Sequence, residues 1–137
     1  MSTLLRPAAL GLVFLGGAAG TFLRAEVGHW LPHSPFAWST FTVNMLGAFL
    51  LGGIVEALSQ RPDDERHRRI RLLLGTGFCG GLTTYSAFAL DIHGASPAVG
   101  ALYAGSTVLL GLVAALAGAA VVRPRRREQR ERAGSTS

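Results

Sequence analysis

Lysine is missing from this chain, and all 13 basic residues are arginine. The uniformity reads as codon usage, not chemistry. Cysteine occurs once, at Cys79, so no intrachain disulfide can form. The four histidines, His29, His33, His67 and His93, fall near the ends of apolar runs, where an imidazole is simply solvated. Without cysteines beside them they offer no metal cluster. Charge is scarce, at 15% of residues. No glycine-rich phosphate loop is visible, which removes nucleotide-driven transport. No base–nucleophile pair is visible either, and Cys79 sits in apolar surroundings that leave a thiol inert. Nothing here supports an enzyme.

What the chain does have is apolar length. Hydrophobic residues make up 49% of its 137 positions, and 18 are glycine. Four apolar runs stand out, at about 7–31, 36–58, 70–94 and 97–122. Each reaches the roughly 20 residues that a helix needs to cross about 30 Å of hydrocarbon. Arg6 and the small residues at 17–20 give the first run the outline of a signal peptide. It continues through Phe22, Val27 and Trp30, however, and is read as a span. The expected fold is an all-α membrane protein with four transmembrane helices over residues 1–122. His33-Ser34-Pro35 and Ala95-Ser96-Pro97 form tight turns, and Ser59 to Arg69 is a charged loop. Residues 123–137 have the composition of a disordered Arg-rich tail. Four helices of this mass do not enclose a pore alone, so an oligomer is expected.

Arginine placement gives an orientation. The N-terminus, the 59–69 loop and the tail share one side, with 12 arginines including Arg71, against Arg24 on the other. The positive-inside rule puts both termini in the cytoplasm. Flanking of membrane spans, not nucleic acid, accounts for the basic runs. Small residues recur four apart at Gly16/Gly20, Gly100/Ala104, Ala101/Gly105 and Ala114/Gly118, the spacing of close helix contacts.

The third run carries the sharpest signal. Residues 75–88 read Gly-Thr-Gly-Phe-Cys-Gly-Gly-Leu-Thr-Thr-Tyr-Ser-Ala-Phe. Each glycine costs about 1 kcal/mol of helix propensity relative to alanine. A membrane tolerates irregular backbone only where protein or a water-filled cavity satisfies its polar groups. The third helix is therefore expected to break near its middle. Freed carbonyls there suit a cation, and a half-helix N-terminus suits an anion. A small-residue packing surface is the plainer reading of the glycines, but the hydroxyls of Thr83, Thr84, Tyr85 and Ser86 need partners in hydrocarbon.

Other polar residues lie inside the spans. Asn44 is central in the second, with Thr40 and Gly47 on the same face. Its amide offers two donors to an anion, or one interhelical hydrogen bond. Tyr103 and Thr107 share a face of the fourth span, with Ser106 beside them, as a hydroxyl track or as hydroxyls bonded back to their own helix. Tyr85 and Phe88 are three apart; ring edges carry partial positive charge, although packing explains such a pair equally well. Arg24 and Glu26 sit late in the first span, as functional charges or as residues snorkelling to the interface.

Three segments together resemble the CrcB/Fluc family of fluoride channels. Residues 16–24, Gly-Gly-Ala-Ala-Gly-Thr-Phe-Leu-Arg, look like its Gly-rich first-span segment. Residues 39–47, Ser-Thr-Phe-Thr-Val-Asn-Met-Leu-Gly, look like its second-span segment with a central Asn. Residues 77–88 look like its third-span signature. The resemblance implies an antiparallel dimer with two narrow fluoride pores in a bacterial inner membrane, exporting fluoride passively and so reducing its toxicity. It also implies a structural sodium ion at the dimer centre, held by the backbone carbonyls of Gly80 and Thr83. Asn44 would donate to fluoride, and Tyr85 and Phe88 would hold the aromatic pore positions. Tyr103, Thr107 and Ser86 would add hydroxyls, and Arg24 and Asp91 would face the vestibule. Three departures are visible: Tyr85 replaces a usual Phe, Asp91 a longer Glu, and Gly111 adds no hydroxyl beyond Thr107. The strong arginine bias also predicts one fixed orientation and a homologous, oppositely oriented partner.

The main rival is a small four-helix proton-coupled drug or cation exporter. Such a carrier needs a carboxylate deep in the first span. Glu26 is late, and the centre near Ala18 has no acid. A membrane scaffold would leave Asn44 and the glycine break without a role.

Overall fold

A computed structural model of the chain describes residues 7–31 and 36–123. Helix α1 covers Pro7–Trp30 and α2 covers Trp38–Ser59. Helix α3, Glu65–Ile70, runs into a π-helical stretch, Arg71–Cys79, and then α4, Gly80–Leu82. Two extended residues follow, before α5, Tyr85–Gly94, and α6, Pro97–Val122. The described residues contain no strand. Helices α1, α2 and α6 are each long and apolar enough to cross a membrane. The third apolar run is divided, as its glycines and hydroxyls predict. Arg6, the turn at 33–35 and residues 124–137 lie outside the described residues.

The charged connection differs from its sequence reading. Ser59 to Arg69 is not all loop: α3 begins at Glu65. Asp64 is its N-cap, accepting the His67 amide at 2.8 Å. Such a cap satisfies one of the donors that a helix start leaves unpaired. Glu65 then pairs with Arg68 and Arg69 one turn on. These contacts hold the Asp64 and Glu65 carboxyls below their usual range, through the His67 amide and the Arg69 side chain respectively. Proline at the first position opens α6, where its missing N–H is no loss.

Glycine spacing decides which helices meet. A Cβ on Gly16 would run into the Leu73 carbonyl, and one on Gly20 into the Phe78 carbonyl. Helix α1 therefore lies backbone to backbone on the π-helical stretch. Helix α2 meets α6 the same way, with Gly52 against Ala115 and Gly118 against Phe49. Gly105 has open space around it, so the Ala101/Gly105 pair marks no contact in this protomer. The protein interior is small: Val43 and Leu82 are the largest fully buried side chains. Large apolar residues such as Phe14, 75% exposed, face outward instead. Lipid or a second subunit is the natural cover for such a surface. Trp30 and Trp38, both exposed, close α1 and open α2 at one end, where indoles favour the bilayer interface.

Candidate functional site

The break is best understood by following its backbone hydrogen bonds. A continuous helix would send the Thr84 amide to the Gly80 carbonyl and the Ala87 amide to the Thr83 carbonyl. Neither bond forms. Thr83 is extended (φ −79°, ψ 156°), as is Thr84 (φ −146°, ψ 124°). The Thr84 amide turns to Asn44 Oδ1 at 2.9 Å, and Asn44 Nδ2 donates to the Thr84 carbonyl at 3.2 Å. The Ala87 amide donates to Thr84 Oγ1 at 3.2 Å, which caps α5. Thr83 bonds back: its amide and its Oγ1 both donate to the Cys79 carbonyl, at 3.0 and 2.9 Å. From α1, Thr21 donates to the Gly81 carbonyl at 3.4 Å and Arg24 Nη1 to the Thr83 carbonyl at 3.2 Å. Two neighbouring helices thus supply the partners that the interrupted ladder lost, as hydrocarbon demands.

Local sequence explains these reaches. Gly16, Gly20 and Arg24 follow at intervals of four along one face of α1. The glycines bring α1 against the π-helical stretch, so the guanidinium one turn later meets the break. On α2, Gly47 is one turn beyond Asn44, and a Cβ there would strike the Thr83 methyl. Its absence lets the break sit against the Asn44 amide.

Asn44, Tyr85, Phe88 and Thr107 line one cavity of about 330 Å³ with Thr83, Thr84, Val108 and Gly111. The Phe88 ring centroid is 6.1 Å from Tyr85 and 5.5 Å from Tyr103. Tyr85 itself is 81% exposed, at the protomer's outer face. Tyr103 is buried behind Phe88 and donates to Asp91 Oδ2 at 3.4 Å. Thr40 and Thr107 lie beside the same phenol. Yet Thr107 Oγ1, on a residue only 7% exposed, meets the geometry of a hydrogen bond with none of the described residues. A buried hydroxyl without a partner costs free energy unless something in the cavity accepts its proton. Ser106 resolves to the plainer alternative, bonding back to the Tyr103 carbonyl at 3.1 Å.

Ser86 does not join this group. It lines a second cavity of about 320 Å³ on the other side of the break, with Arg24, Ser39, Thr40 and Thr84. Gly80 and Thr83 line a third of about 300 Å³ with Asn44, Gly47 and Cys79. Carbonyl oxygens of this kind suit hard cations. The Gly80 carbonyl has lost the Thr84 amide. The Thr83 carbonyl is a donor of the same chemistry already engaged by a guanidinium. Two unit charges about 4 Å apart repel by about 4 kcal/mol at an effective dielectric constant of about 20. Arg24 would have to leave the Thr83 carbonyl before a cation could share it. Sequence reasoning named Thr84 only among the hydroxyls that need partners and missed that both partners of Asn44 belong to its backbone; a threonine directly before a helical run is the N-cap signal that marks it.

The family model described as CrcB-like protein, Camphor Resistance (CrcB), matches residues 11–119. A protein named Fluoride-specific ion channel FluC 2 from Leifsonia xyli subsp. xyli (strain CTCB07) is 47% identical over 116 residues, covering 80% of each chain. A Fluoride-specific ion channel FluC from Rhizobium johnstonii (strain DSM 114642 / LMG 32736 / 3841) is 41% identical over 119 residues, covering 82% of this chain and 94% of its own. Another, from Erythrobacter litoralis (strain HTCC2594), is 38% identical over 125 residues, covering 81% and 89% respectively.

Proposed function

Because this chain belongs to the CrcB-like family, we propose that it is a fluoride-selective channel through which the ion leaves the cytoplasm passively. The observation that carries this reading is the cavity that brings the buried Thr107 side chain together with the Asn44 amide and the Phe88 ring. Asn44 Nδ2 has two hydrogens and gives one to Thr84, so the second remains for the cavity. Hydroxyl, amide and ring edge are all neutral groups with positive ends. They replace part of fluoride's water shell without trapping the ion as a fixed cation would.

The remaining roles follow from position. Arg24 and Ser86, in the second cavity, attract the anion toward the break. Asp91 holds the Tyr103 hydroxyl and so fixes the phenol behind Phe88. The exposed Tyr85 ring leaves one wall of the first cavity open to a second subunit, which supports a dimer as the working unit; its antiparallel arrangement is what the family resemblance implies. A structural sodium ion at its centre takes the carbonyls of Gly80 and Thr83. The arginine distribution supports a cytoplasmic location for both termini and favours a homologous partner inserted the other way.

The test is fluoride tolerance. Expression in a bacterium deleted for its own fluoride exporter should restore growth in millimolar-range fluoride, with the oppositely oriented homologue supplied where the chain alone is inactive. Failure of the inserted, folded pair to protect would overturn the reading.

A further inference from the structure

Arg24 forms no ion pair among the described residues. It is half-buried between α1 and the break, and its contact there is the Thr83 carbonyl at 3.2 Å. A cation without a carboxylate is expensive to keep in hydrocarbon, and this one is solvated by a single broken-helix carbonyl and the polar cavity beside it. The same oxygen is one of the two that the proposed sodium ion requires.

We propose that Arg24 is the resident cation of the helix break, holding the Thr83 carbonyl in the protomer and competing with a monovalent metal ion for it. The inference rests on the sodium part of the reading above. The guanidinium satisfies the carbonyl before a partner arrives, which lets a lone subunit keep its break folded in the membrane. Binding of the metal then requires the guanidinium to turn from Thr83 further into the second cavity that it already lines, where Ser39, Thr40, Ser86 and the anion can receive it. Sodium affinity is therefore set by the charge at position 24, and not only by the carbonyls that touch the ion. The spacing Gly16, Gly20, Arg24 builds the competition into the sequence, because the close crossing of α1 is what delivers the guanidinium to Thr83.

The test uses the full chain, with its homologous partner where the chain alone is inactive, in detergent micelles, with sodium titrated against N-methylglucamine at constant ionic strength and thermal unfolding as the readout. Arg24→Ala and Arg24→Gln should show their sodium-dependent stabilisation at roughly tenfold lower sodium than the unaltered chain. Arg24→Lys, which keeps the charge, should titrate like the unaltered chain. Gln retains amide donors for Thr83, so it carries the test if the Ala variant does not fold. Equal or weaker sodium response in the Ala and Gln variants would overturn the competition. A chain that shows no sodium response in any variant, yet passes fluoride in vesicles, overturns it as well and removes the sodium site while leaving the channel reading intact.

Discussion

Asn44 pairs both backbone groups of Thr84, accepting its amide at 2.9 Å and donating to its carbonyl at 3.2 Å. One side chain thereby does for the break what a neighbouring strand does in a sheet. Replacement by aspartate keeps the acceptor and loses the donor, and sets a carboxylate against the Thr84 carbonyl. Asn44→Asp should cost about 1–3 kcal/mol of stability, the penalty for an unsatisfied buried group, and cut fluoride flux by tenfold or more. Thermal unfolding and proteoliposome efflux check the two effects separately.

Close backbone packing makes a different prediction. Gly20 has no space for a Cβ, whereas Gly105 has open space around it. Gly20→Ala should destabilise by about 1–3 kcal/mol through overpacking. Gly105→Ala should be neutral or gain up to about 1 kcal/mol of helix propensity. Thermal unfolding of the two variants side by side tests the assigned faces.

The break itself was legible in the sequence, because Thr83-Thr84 after Gly80-Gly81 gives a helix little to gain and polar groups to place. Asn44 was legible as a buried amide, but not its partner: an amide accepts and donates alike, and only the fold says which backbone it meets. Gly16, Gly20 and Gly118 mark true crossings, the last beside Ala115 and not Ala114, while Gly105 does not, since small residues permit contact without requiring it. The π-helical stretch Arg71–Cys79 leaves no mark on residue pattern, because its wider turn answers packing against α1. Helix α3 was readable from Asp64 followed by Glu65, an acidic start before Arg68 and Arg69, yet the density of charge there reads first as loop.

Acid should loosen α3 first. Asp64 binds the His67 amide, and its folded carboxyl is held below the ordinary value of 3.8. A lowered folded value means that the cap is fully effective above the unfolded range and is lost as pH falls through the folded one. Amide hydrogen exchange in Glu65–Ile70 should therefore accelerate below about pH 3.8, and Asp64→Ala should weaken that acid dependence, leaving the share that Glu65 carries through Arg69 and Arg68.

Orientation is tested by topology reporters. With 12 arginines on one side and Arg24 on the other, a reporter fused after Ser137 should be almost wholly cytoplasmic. Comparable amounts in both orientations would remove the case for a homologous, oppositely inserted partner.

The cavity chemistry is tested most directly at Thr107. Anion efflux should be measured from proteoliposomes with fluoride and chloride electrodes, using the chain, with its homologous partner where needed, and Thr107→Val. The account predicts fast fluoride efflux with chloride retained. In the variant, fluoride flux should fall by roughly tenfold while the unfolding temperature changes little, because the lost hydroxyl makes no well-formed hydrogen bond among the described residues. Equal passage of both halides, or unchanged fluoride flux in Thr107→Val, would contradict it.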